Sequence, residues 1–327
     1  MTDDRPWYLL SSRDHDRIFA TDITDHLLSG VQVPSQRRLI TIQGPAGSGK
    51  TVAQQRALER MGPDGAVIAD VDSLLGFHPH YAELQAQNDR TASGLIDPDT
   101  VGWVQLAIAL ARDRGLSLIR EGGPAPGRLA GELGSLGYHT ELDVQAVQPA
   151  ISRLSVLSRY QQLRDRLGVG RTVDPRIHDR IRETMPKLLT ANEHRGFFHE
   201  TRLWRRGAGE PWYHDLRDGP GAADAYRRAE ELPLTPAEAE WFVRRFAELE
   251  VTLPDDLRGQ LDEIAELARP LGIDVRAAGE DRARVLKFTQ DAARSQPAAG
   301  GPAPAPSPRI HGERASAPRH GMTPTLD

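Results

Sequence analysis

Apolar residues along this chain fall into two rhythms. Short runs at residues 39–43, 66–69 and 116–119 are bounded by glycine, proline or charged residues and predict buried strands. Residues 138–147 alternate apolar and polar positions and predict a fourth strand, and residues 197–204 a fifth. Between them, spacings of three and four predict helices over residues 51–60, Pro149–Leu167 and 175–192. Another predicted helix is capped by Asp97-Pro98-Asp99 and carries Trp103, Leu106, Ala107 and Leu110 on one face. Residues 18–28 are loosely helical and are expected to pack outside the sheet. Residues 73–98 show little periodicity and read as a substrate-side loop with a short helix. Strand, helix and strand follow one another across the break at Gly62-Pro63-Asp64-Gly65. Such a βαβ unit implies a parallel sheet with right-handed crossovers.

The rhythm changes beyond residue 232. Two helices are predicted at residues 236–250 and 254–268, and the chain from residue 294 is rich in proline, alanine and glycine. Seven of its 24 prolines lie between Pro297 and Pro324, and such a stretch is expected to be disordered because it buries too little apolar surface to offset ordering entropy. The expected plan is a helical lead-in over 1–36, an α/β domain over 37–232, a helical segment over 233–293 and a tail over 294–327.

The first predicted strand runs into Gly44-Pro45-Ala46-Gly47-Ser48-Gly49-Lys50-Thr51, the G-x-x-x-x-G-K-[ST] pattern in its strand–loop–helix context. Glycines let the backbone bend around phosphate oxygens and aim N–H groups at them, and the following helix presents its positive end. The motif assigns Lys50 to the β- and γ-phosphates of ATP and the Thr51 hydroxyl to Mg²⁺. Only three of the 41 basic residues are lysines (Lys50, Lys187 and Lys287), and one occupies the position where a compact ammonium is needed.

Composition narrows the alternatives. The chain has 327 residues, no cysteine and a net charge of −5, so disulfides, thiolate metal sites and cysteine nucleophiles are excluded. Nucleic acid is not expected as a partner. No apolar run is long enough to span a bilayer, and Met1-Thr2-Asp3-Asp4-Arg5 does not resemble a secretory signal, so a cytoplasmic location without membrane attachment is expected. Three strand ends carry chemistry: the P-loop, Asp70 with Asp72, and Glu121. Position allows Asp72 to accept a proton from an attacking hydroxyl, or to be a solvated turn residue.

The pattern D-x-D-S-L-x-x-x-H-P-x-Y over residues 70–81, together with the P-loop, resembles the zeta toxin family of P-loop kinases. Ile119-Arg120-Glu121-Gly122 is similar to that family's I-E-G-T segment, with an arginine in the apolar lead. Ser158-Arg159-Tyr160 resembles its E-R-Y, Arg171 falls at its second arginine, and His178-Asp179 matches an H-D in the next helix. The resemblance covers roughly residues 30–205 and implies a P-loop kinase fold: a central parallel sheet flanked by helices, with the C-terminal helices and tail appended. It implies ATP- and Mg²⁺-dependent phosphorylation of a nucleotide sugar such as UDP-N-acetylglucosamine, and a small antitoxin that blocks the nucleotide site. Carried over by position, Asp72 is the general base, Lys50, Arg159 and Arg171 hold the transferring phosphoryl group, and His78, Gln105, Glu121 and Gly123 lie on the substrate side. The family's acceptor-binding glutamate falls at Gln105 and its threonine at Gly123. The donor half matches while the acceptor half departs. The alternatives are a kinase of another hydroxyl metabolite and a non-catalytic nucleotide-binding switch.

Overall fold

The computed structural model describes residues 6–276; the expected tail and the end of the 233–293 segment lie outside them. The sheet has six strands: β1 (Arg38–Gln43), β2 (Val67–Ala69), β3 (Leu118–Glu121), β4 (His139–Gln145), β5 (Glu200–Trp204) and β6 (Tyr213–His214). Their order is β2-β3-β1-β4-β5-β6, parallel except for β6, which closes the edge antiparallel to β5. The principal helices are α1 (Lys50–Met61), α2 (Asp97–Arg114), α3 (Pro126–Ser135), α4 (Pro149–Leu167), α5 (Pro175–Arg195), α6 (Ala222–Glu231), α7 (Pro236–Thr252) and α8 (Arg258–Ala268). Because β1 has β3 on one side and β4 on the other, the chain switches direction across the sheet at the P-loop strand. A crevice at the strands' carboxyl ends follows from that switch.

Each sheet face is covered, as a parallel sheet requires. Ile40, Ile42 and Ile119 pack on Ala53 and Ala57 of α1. Leu39 and Leu118 face the other way, into a cluster with Trp103 and Ala107 of α2 and Leu133 of α3. The N-terminal lead-in joins this second cluster through Ile18, Ile23 and Leu27. Its helical residues run from Ser12 to Leu28, with one wide π turn over Phe19–Ile23.

The alternation of β4 has an unexpected basis. Both faces of β4 are buried, and Glu141 and Asp143 share one of them. Arg38 and Arg202 meet Glu141, and Arg60 of α1 lies 2.6 Å from Asp143. The polar positions of the alternation form an internal ion network, which buried carboxylates require.

The two C-terminal helices belong to the same packed body as the sheet domain. Phe242, Val243 and Phe246 of α7 and Ile264 of α8 pack against Ile151, Leu154, Leu157 and Tyr160 of α4. Each such buried side chain contributes about 1.5–3 kcal/mol, so α4, which carries Arg159, is fixed from both sides. Asp97 and Asp99 do not cap α2 through their side chains; the residue at the cap is Ile96. Asp99 is buried and instead accepts from Leu10 N at 3.0 Å.

Candidate active site

The P-loop backbone has the shape that its glycines predict. Gly44, Gly47 and Gly49 have φ of 150°, 75° and 96°, and at the last two a side chain would be strained. A Cβ on Gly47 would stand 2.1 Å from the carbonyl oxygen of Ser152 in α4. The loop is therefore seated directly on α4. Ser152 in turn bonds His178 of α5 at 2.9 Å, and His178 bonds Asp179 at 2.8 Å. The H-D pair thus positions α4 beneath the loop, with its imidazole pushed below the ordinary range by burial. Open space lies above Gly49, and the buried Ser48 hydroxyl has no partner. A cradle with an unsatisfied hydroxyl and free space at its rim fits a triphosphate.

Asp70 ends β2 and caps the short helix Val71–Leu74, accepting from Asp72 N at 3.0 Å and Ser73 N at 3.2 Å. This capping fixes the backbone of Asp72 and aims its side chain at Arg171, whose Nη1 lies 2.5 Å from its Oδ1. Burial pulls the Asp72 carboxyl upward. Arg171, as charge and hydrogen-bond donor, with Arg159 and Lys50 beyond it, nevertheless holds it below the usual carboxylate range. Its side chain remains 44% exposed, so a substrate hydroxyl can approach. Arg159, from α4, makes no hydrogen bond or ion pair of its own among the described residues.

Lys50 Nζ donates to Pro45 O at 3.1 Å and stands 3.7 Å from Glu121 Oε1. Burial raises the Glu121 carboxyl to about 7, despite the attraction of Lys50 and with repulsion from Asp70 and Asp72. Native Glu121 therefore keeps its proton to about pH 7, whereas the unfolded chain loses it near 4.5. Its stabilising contribution is complete below the unfolded value and is lost as pH rises through the folded one. Glu121→Gln is expected to remove this loss, at most about 3 kcal/mol, so its melting temperature should fall less than the parent's between pH 5 and 8. Parallel melting curves for the two proteins would refute the assignment.

The structure brings Lys50, Asp72, Glu121, Arg159 and Arg171 to one place. Two further groups join them that sequence reasoning left unassigned. Burial raises the Tyr81 hydroxyl and the Asp97 carboxyl, and both feel Arg171 and Asp72. Tyr81 closes the 70–81 pattern, and its place there was the available signal; Asp97 had been read only as a helix cap. Of the expected substrate-side residues, His78 makes its contacts elsewhere. His78 is buried, 3.2 Å from Asp99, with its ring against Trp103, and burial lowers its pKa. It braces α2 through Asp99 and Trp103. Gln105 and Gly123 are exposed, Gly123 on the loop after β3. Thr51 is exposed at the start of α1. Among the described residues no group of three or more His, Asp or Glu side chains could hold a metal. No helix of the described residues is long and apolar enough to cross a membrane.

Comparison with known proteins agrees with this geometry. The family model described as "Zeta toxin" matches residues 24–215, more than half of the chain. Toxin PezT of Streptococcus pneumoniae serotype 4 is 29% identical over 141 residues, which are 42% of this chain and 55% of that toxin. The chain thus matches about half the length of this curated relative. A solved structure of the PezAT chromosomal toxin–antitoxin system of the same species aligns with a TM-score of 0.65 at 23% identity, covering 74% of this chain and 98% of that one. It shares the fold. The AvrRxo1-ORF1:AvrRxo1-ORF2 complex with sulphate ions aligns with a TM-score of 0.47 at 13% identity, over 81% of this chain and 89% of that one.

Proposed function

We propose, since this chain belongs to the zeta toxin family, that it transfers the γ-phosphoryl group of ATP to a hydroxyl of a small metabolite, a nucleotide sugar such as UDP-N-acetylglucosamine being the first acceptor to test. The observation that carries this reading is the pairing of Asp72 with Arg171 at 2.5 Å, within the field of Lys50 and Arg159 and beside the P-loop.

In this reaction the acceptor oxygen attacks the γ-phosphorus, and its proton passes to Asp72. The new O–P bond forms as the bond from phosphorus to the β,γ-bridging oxygen breaks, and ADP leaves with that electron pair. Arg171 keeps Asp72 ionised and ready to take the proton. Arg159 and Arg171 stabilise negative charge on the transferring group, and Lys50 stabilises it on the β- and γ-oxygens. Mg²⁺, held by Thr51 and phosphate, neutralises charge on those oxygens when bound. Tyr81 and the protonated Glu121 are placed to donate hydrogen bonds toward the acceptor. A cytoplasmic site of action and an antitoxin partner follow from the family reading and belong to the proposal.

The test is thin-layer separation of products from radiolabelled ATP, Mg²⁺ and a panel of nucleotide sugars, dinucleotides and simple sugars. One labelled small molecule, absent with Lys50→Ala, is expected. ATP binding without any labelled acceptor across the panel would mark a nucleotide-binding switch instead.

A further inference from the structure

One residue before its end, β3 carries a side chain that has no place in an apolar strand. Arg120 pairs in register with Thr41 of β1 and Ala69 of β2 and shares its face with Leu118, in the packed layer beneath α2. It is 5% exposed. No ion pair reaches it among the described residues. Its Nε has no hydrogen-bond partner, and its Nη2 makes one long contact, 3.4 Å to Pro124 O. The neighbouring Thr41 hydroxyl is also buried without a partner. Burial lowers the guanidinium's affinity for its proton, and no carboxylate offsets this. A guanidinium carries five donors, and leaving it dry and uncompensated is costly unless something else supplies the counter-charge.

The direction of the side chain shows where that charge would sit. Nη2 extends along the strand to the loop that follows Glu121, where a Cβ on Gly123 would stand only 2.2 Å from it. Any side chain at position 123 would displace the guanidinium, so Arg120 and Gly123 form one unit. Gly122 and Gly123 have φ of 65° and 81°, Gly122 has open space where a Cβ would point, and Gly123 is exposed. The guanidinium therefore lies directly beneath the side-chain-free backbone of Gly123, on the sheet face opposite to that of Glu121 and next to the end of β2 that leads into Asp70 and Asp72.

We propose that Arg120 is a specificity-determining residue that binds a phosphate group on the acceptor, selecting hydroxyl compounds that carry a phosphate ester or diphosphate near the hydroxyl to be modified. This assignment rests on the kinase reading above for the word acceptor, while the anion site itself does not. With no side chain on Gly122 or Gly123 in the way, the anion would reach the guanidinium with one or two of its oxygens.

Two measurements on the full chain test it. In the first, inorganic phosphate is titrated calorimetrically into Lys50→Ala, which weakens the P-loop, and into Lys50→Ala/Arg120→Leu. One site that weakens at least tenfold in the double variant is expected; equal binding by both would place phosphate only at the P-loop and overturn the assignment. Ligand-free melting controls for structure. Leucine retains an apolar strand residue and removes the uncompensated charge, so Arg120→Leu should melt about 2–4 °C higher than the parent. A lower melting temperature would make Arg120 structural and overturn the proposal.

In the second measurement, phosphorylated and unphosphorylated members of acceptor pairs, such as N-acetylglucosamine 1-phosphate and N-acetylglucosamine, are compared with labelled ATP. The parent should prefer the phosphorylated member at least tenfold in kcat/KM. Arg120→Leu should lose that preference through the acceptor KM, with the KM for ATP unchanged. Transfer with the preference intact in Arg120→Leu sinks the inference and leaves the kinase standing. Arg120-dependent phosphate binding without any transfer sinks the kinase and leaves the anion site.

Discussion

Arg171→Ala is expected to lower kcat by about 10³–10⁵-fold while changing the KM for ATP by less than about threefold. Arg171 stands between α4 and α5, and its side chain is 20% exposed and locked on Asp72. Asp72 holds its proton affinity above normal despite burial, so it is charged at every accessible pH. Its removal has two consequences in one step. The transferring phosphoryl group loses a planar donor that can meet two oxygens at once. Asp72 also loses the neighbour that holds its carboxyl below the usual range, so the acidic limb of the kcat–pH profile should move toward neutrality. Arg171→Lys restores charge without the fork and should recover the pH limb better than the rate. Steady-state kinetics of the three proteins from pH 5 to 9 decide the matter. A fall of less than tenfold in Arg171→Ala, with an unmoved limb, would remove Arg171 from the mechanism.

The donor half of this site was legible because its chemistry is contiguous. A strand, a glycine loop and a lysine within thirteen residues, Arg38 to Lys50, state their own purpose, and the structure realises them as β1, the P-loop and α1. The convergence of Asp72, Arg159 and Arg171 depends on α4 being seated against the P-loop at Gly47. No local pattern encodes that contact, so the two arginines rested on family resemblance. Asp97 and Tyr81 escaped because the short helices Tyr81–Gln87 and Ala92–Leu95 fold residues 73–98 back on themselves, and their packing is set by tertiary contacts. His78 misled for a related reason. The resemblance alone put it on the substrate side, but its imidazole pairs with Asp99 twenty-one residues later.

Two elements departed from the expected pattern for identifiable causes. The third strand was read from its apolar residues 116–119 with its end at Glu121; the ladder runs over Leu118–Glu121, so the end stands and the start shifts by two residues. A buried arginine and a carboxylate raised to about 7 are not what hydropathy assigns to a strand. Helix α3 was not anticipated at all. Gly127, Gly131 and Gly134 weaken its intrinsic propensity. At the first two, however, the missing side chain is what lets Phe197 approach; a Cβ on Gly127 would lie 2.5 Å from that ring. Tertiary packing overrode local preference at both places.

Asp72→Asn is expected to reduce kcat by about 10²–10⁴-fold with ATP affinity nearly unchanged. The amide preserves shape and can still face Arg171, and Asp70 still caps Val71–Leu74, so the fold and the P-loop should be undisturbed. It cannot take the acceptor's proton as the O–P bond forms. A loss confined to kcat would mark a group that acts only as the hydroxyl is attacked. The double variant Asp72→Asn/Arg171→Ala separates this role from that of its partner. If Arg171 acted only by holding Asp72 ionised, the double variant would be no slower than Asp72→Asn alone. In the proposed reaction Arg171 also meets the phosphoryl group, so a further loss of at least tenfold is expected beyond the Asp72→Asn level, but less than the product of the two single losses. Equal rates for Asp72→Asn and its parent would mean that the proton leaves by another route and that the 2.5 Å pair is only a structural ion pair.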